Sequence, residues 1–123
     1  MIERFEDIEA WKKARELAGA IYKATRDGPI AKDFGFRDQI RRAAISVLAN
    51  IAEGFGRRTH KDFAGFLYIA RGSVMETVSH LYVALDQEYL TNEQVRGLQA
   101  GYEEIRKMLA SLIRYLESSP TPK

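Results

Sequence analysis

The residues best suited to chemistry in this chain crowd into RRAAISVLANIAEGFGRRTHKDF, residues 41 to 63. An amide, Asn50, and a carboxylate, Glu53, interrupt an otherwise apolar run. Arg57, Arg58, His60 and Lys61 follow it directly. Guanidinium and ammonium groups so clustered attract anions, and arginine grips phosphate through two parallel hydrogen bonds. Thr59 reads as a helix N-cap with Asp62 at the N3 position. A helix N-terminus with free amides is itself an anion site, so the cluster suits the backbone of RNA or DNA. The candidate nucleic-acid contacts are Arg41, Arg42, Arg57, Arg58, His60 and Lys61. From Arg37 to Lys61 six basic residues stand against Asp38 and Glu53, a local charge of +4 that leaves −2 for the rest of the chain. A solvated basic face is the competing reading.

Catalytic chemistry finds little to work with. The chain has no cysteine, which removes thiolate nucleophiles, thiolate metal sites and disulfides together. Its two histidines, His60 and His80, lie twenty residues apart on one expected helix, roughly 30 Å. Di-metal sites in helical bundles use Glu-x-x-His pairs, whereas Glu76 and His80 are four apart. Gly54 and Gly56 begin a phosphate-loop pattern that no third glycine completes. The expectation is a protein without enzymatic activity, metal or cofactor.

The elements that must position these residues are helices. Ile8, Trp11, Leu17, Ala18, Ile21 and Tyr22 recur at helical spacing, and a second helix runs from about Phe36 to Phe55. A third follows Thr59 to about Gln87. TNEQ then reads as a capping box, with Thr91 as N-cap and Gln94 at N3. In the fourth helix Val95, Leu98, Tyr102, Ile105, Leu109, Leu112 and Leu116 alternate steps of three and four, the seam of a left-handed bundle. Gly28 and Pro29 mark a loop, and Pro120 and Pro122 an end. The fold class is all-α, an antiparallel up-and-down four-helix bundle, with one domain over residues 1–118 and a flexible tail over 119–123. The hydrophobic share of 46% and charged share of 29% suit a single packed domain. MIERFEDIEAW lacks the apolar segment of a secretion signal, and no apolar run approaches the ~20 residues of a membrane span. A soluble cytoplasmic protein is expected.

The two middle helices carry more apolar surface than one core requires. In the second, Phe36, Ile40, Ala44, Val47, Ile51 and Phe55 form the core stripe, and Ile45, Ala49, Ala52 and Gly56 form another. In the third, Phe63, Leu67, Ala70, Val74 and Leu81 face inward, while Gly65 and Gly72 lie opposite. A mid-helix glycine costs roughly 1 kcal/mol relative to alanine, and close approach of another helix is the usual reason to keep one. Ile45, Ala49, Ala52, Gly65 and Gly72 are therefore the candidate surface of a homo-oligomer. Ser46, Asn50 and Glu53 fall on one flank of the second helix and Ser73 and Glu76 on one flank of the third, and they are expected to form a structural polar network between the helices.

NIAEG (Asn50 to Gly54), with FEDIEAW, QIRRAAISV and FLYIARGSVMET, resembles the S23 or intervening-sequence proteins. These small four-helix-bundle proteins occur as reading frames inside bacterial large-subunit ribosomal RNA genes. The likeness covers nearly the whole chain; Leu48-Ala49 stands where a more polar or proline-containing pair is typical. It implies an antiparallel subunit assembled into a five-fold ring, a pentamer, without enzymatic activity. For the related accessory variability proteins of diversity-generating retroelements it implies a basic surface that engages nucleic acid and a reverse transcriptase. Two roles stay open: a nucleic-acid-associated oligomer, or a structural, protein-binding oligomer whose basic residues are merely solvated.

Overall fold

The computed structural model describes residues 2–122. Every regular element among them is helical. A 3-10 turn over Phe5–Asp7 leads into α1, Glu9–Ala24. The single turn α2, Pro29–Lys32, occupies what the sequence marks only as a loop. Gly28 sits at φ 79° before it, a left-handed conformation that glycine adopts freely, and Pro29 takes the first helical position. Three long helices follow: α3 over Phe34–Phe55, α4 over His60–Asp86 and α5 over Asn92–Ser118.

The ends of these helices are set by local chemistry. Thr59 accepts a hydrogen bond from the Asp62 amide and so starts α4. Thr91 and Gln94 close a full capping box at α5. α3 begins two residues before the expected Phe36, because the Asp33 carboxylate accepts from the Phe36 amide and caps it. The same carboxylate accepts from the Tyr89 hydroxyl at 2.7 Å, a bond that pushes the phenol pKa up and ties α3 to the α4–α5 turn. That turn is a Schellman motif, with the Tyr89 amide on Ala84 O at 2.9 Å and the Glu88 amide on Leu85 O at 3.0 Å. Glu88 takes the left-handed position at φ 59°.

The inward stripes meet in one core of Ile21, Ile40, Val47, Ile51, Leu67, Val74, Leu81, Tyr102, Ile105 and Leu109. In α5 the expected Leu98 and Leu112 are only half-buried, and Gly101 and Ile113 take buried positions. As α3 advances, its partners on α4 recede: Phe36 meets His80, Ser46 meets Ser73 and Phe55 meets Phe63. α5 does the same against α1, where Glu104 pairs with Lys13 at 3.4 Å and Gly101 meets Leu17.

Two glycines are required by proximity. A Cβ on Gly54 would lie 2.8 Å from Phe66 Cβ and 3.2 Å from the Phe63 carbonyl oxygen, neither of which can swing away. Gly101 would meet the Leu17 methyls at 2.8 Å. Gly19, by contrast, has open space where a Cβ would stand. Gly54→Ala is therefore expected to destabilise the protein by about 1–3 kcal/mol in urea unfolding, through overpacking. Gly19→Ala should stabilise it by about 0.5–1 kcal/mol through helix propensity. A Gly54→Ala protein as stable as the parent would refute the close α3–α4 approach.

Candidate nucleic-acid interface

The basic cluster lies where three helices end. α3 stops at Phe55, the turn Gly56–Thr59 carries Arg57 and Arg58, and α4 opens with His60 and Lys61. The close α3–α4 approach at Gly54 keeps this turn short. Arg57 pairs with Glu53 at 3.3 Å and lays its guanidinium 4.6 Å from the Phe66 ring centroid. Arg58 and Lys61 are exposed, and neither makes a hydrogen bond or ion pair with another described residue. Phe55 and Phe63 cross edge to face at the same end of the two helices, with centroids 6.1 Å apart.

Two of the amides at the start of α4 are not free, contrary to the sequence expectation. The His60 amide donates to the Thr121 hydroxyl at 2.9 Å, and the Asp62 amide donates to Thr59 at 3.1 Å. The His60 ring also meets the Ser119 carbonyl through Nδ1 at 3.0 Å, which requires the proton on that nitrogen. The segment after α5, expected to be flexible, thus supplies the cap of α4. An anion arriving here would meet side chains and not a bare helix end.

The other two candidate arginines lie elsewhere. Arg41 lies fourteen residues before the end of α3 at Phe55, about 21 Å of helix from the turn that carries Arg57. Its guanidinium donates to the Thr25 hydroxyl at 2.8 Å and the Thr25 carbonyl at 3.3 Å, and lies 4.5 Å from the Tyr22 ring centroid. It therefore caps the C-terminus of α1, where a positive charge is favoured. Arg42 is exposed beside it.

Of the expected polar network, three residues come together. Ser46 and Ser73 share a hydrogen bond of 2.8 Å, and Asn50 donates to the Ser46 carbonyl at 2.8 Å and hydroxyl at 3.0 Å. Thr77, which the spacing did not single out, is buried and donates to the Ser73 carbonyl. Glu53 and Glu76 lie outside this group. Among the described residues Glu53 has only Arg57 as a polar partner, and Glu76 contacts His80 at 3.2 Å on the surface. Among the described residues, no three His, Cys, Asp or Glu side chains converge as metal ligands would.

The candidate oligomer surface faces outward. Ile45, Ala49, Gly65 and Gly72 are exposed and Ala52 is half-buried. No atom stands within 4 Å of a Cβ placed on Gly65 or Gly72. Around them lie Ile69, Met75, Tyr82 and Val83, with Ile69 53% and Met75 52% exposed. No helix among the described residues is long and apolar enough to cross a membrane.

These features define a helical-bundle protein with a basic end. The chain matches the family described as 23S rRNA-intervening sequence protein over residues 6–111, and it belongs to that family. It is similar to a protein of unknown function from the S23 ribosomal protein family of Bacteroides thetaiotaomicron, solved at 1.70 Å, with 32% identity and a TM-score of 0.78. That match covers 85% of this chain and 98% of the other. No curated protein matches the chain.

The network makes a direct contrast. Asn50→Ala should cost about 1 kcal/mol of stability, because it strips the donor from a partly buried hydrogen-bonded group. Glu53→Ala should cost no more than about 0.5 kcal/mol, the scale of an exposed i,i+4 ion pair. Paired urea titrations check this, and a larger loss for Glu53→Ala would reverse the assignment.

Proposed function

We propose that this protein is a non-enzymatic, antiparallel four-helix-bundle subunit of a cytoplasmic homo-oligomeric ring. Its basic end binds nucleic-acid backbones as an accessory to a reverse transcriptase or another RNA-related process. The observation that carries the nucleic-acid reading is the exposed cluster of Arg57, Arg58 and Lys61 at one end of the bundle. Lys61 and Arg58 spend no charge on an internal acid, and Arg57 has only a solvent-exposed partner. Arg41, engaged at the end of α1, has no part in the contact.

The assembly is supported by the outward face of α4. A helix facing water on that side would normally carry charge, yet Ile69, Gly72, Met75 and Val83 lie there. The pentameric count and the reverse-transcriptase partner rest on family resemblance alone. A ring would repeat the basic cluster once per subunit and turn weak phosphate contacts into a multivalent surface. The same apolar face favours the second reading, a structural or protein-binding oligomer without nucleic acid.

Affinity for a generic single strand and duplex should fall steeply with salt, because phosphate contacts release counterions. Arg57→Ala/Arg58→Ala/Lys61→Ala should weaken binding and flatten the slope of log affinity against log salt by about 2–3. An unchanged slope would leave the cluster a solvated face.

Light scattering on a sizing column tests the assembly separately. The parent should exceed the 14.0 kDa of one chain. Gly72→Leu, whose side chain enters open space within a single subunit, should shift the mass toward the monomer while the helical spectrum stays intact. A monomeric parent would refute the ring.

A further inference from the structure

A groove of about 540 Å³ opens directly under the arginine turn. Its wall is mostly apolar and aromatic, from Phe55, Phe63, Leu112 and Tyr115, and its rim holds Arg57 and Arg58. Tyr115 is 58% exposed, an unusual position for an aromatic ring on the water-facing side of a helix. Its ring leans on His60, with centroids 5.9 Å apart and planes at 49°. Thr121 and Pro122 bound the groove on the tail side.

We infer that this groove receives an unpaired base of a single-stranded nucleic acid, stacked on Tyr115 while Arg57 and Arg58 hold the flanking phosphate. The inference rests on the nucleic-acid reading above and narrows it to a class of strand. The two halves of the groove name the ligand. Guanidinium groups at the rim call for an anion, and aromatic faces beside them call for a planar apolar ring within a few ångströms of that anion. A nucleotide joins both in one unit. Base stacking on aromatic side chains tolerates any sequence, because every base has a π-face. A duplex keeps its base faces inside the stack and offers the groove nothing but phosphate. The volume suits roughly one nucleotide, not a helix of paired bases.

The test uses the whole protein with two probes, a single strand carrying the fluorescent base 2-aminopurine and a blunt duplex of the same length. Binding should quench the fluorescence of the single strand. Tyr115→Ala should lower single-strand affinity by roughly tenfold and remove the quench, while duplex affinity stays within about twofold. Tyr115→Phe should behave as the parent, and Tyr115→Leu should behave as Tyr115→Ala. Retained affinity in Tyr115→Leu would overturn base stacking in favour of an indifferent apolar groove. Equal behaviour of Tyr115→Ala and parent on the single strand, with duplex binding intact, would overturn the inference and leave the backbone reading standing. Absence of binding to either probe at low salt would instead sink the backbone reading, and this inference with it.

Discussion

The contact between α3 and α4 at Gly54 governs the rest of the molecule. With no side chain at this position, the two backbones approach until Phe66 Cβ occupies the space a Cβ would need. That approach allows the turn Gly56–Thr59 to be short, and the short turn brings Arg57 and Arg58 to the groove that Phe55 and Phe63 also line. Farther along the same seam, Ser46 and Ser73 fix the register through their shared hydrogen bond. Sliding α4 by one turn so that Ile69 faces Ser46 would replace their shared hydrogen bond with an apolar contact at a half-buried hydroxyl, which costs about 1–3 kcal/mol. Close packing at one end and a polar pin in the middle therefore specify one alignment.

The helices and their caps were legible in the sequence because their signals are local. Thr59 with Asp62 and Thr91 with Gln94 act over three residues, and apolar spacing identified the buried faces of α3 and α4. What escaped depends on residues far apart in the chain. Asp33 caps α3 and also binds Tyr89. Arg41 reads as a free basic residue until α1 is seen to end beneath it at Thr25. Helical spacing also put Ser46, Asn50 and Glu53 on one flank. It could not show that the flank turns outward by Glu53, so that only the first two are covered by α4. The docking of Thr121 on the His60 amide, across sixty-one residues of chain, left no local trace.

α4 explains how one helix serves two surfaces. Its inner side supplies Leu67, Ala70, Val74 and Leu81 to the core, and its outer side exposes Ile69, Met75 and Val83 around two glycines. Within a single chain the glycines weaken the helix and gain nothing, since no atom lies near enough to need their absent side chains. Gly54 and Gly101 are different in kind, because a neighbour fills the space beside each. The contrast separates glycines that the fold requires from glycines that it does not.

At the basic end, the tail changes what anion binding can mean. Thr59 and Thr121 satisfy two of the first amides of α4, so the helix end offers a phosphate little of the backbone geometry that gives such sites their precision. Recognition then falls to the mobile guanidinium and ammonium groups, which follow charge more than shape. In the proposed reading the aromatic wall beside Tyr115 is then the more rigid part of the site. His60 links the two. Its Nδ1 proton is committed to the Ser119 carbonyl and its ring to Tyr115.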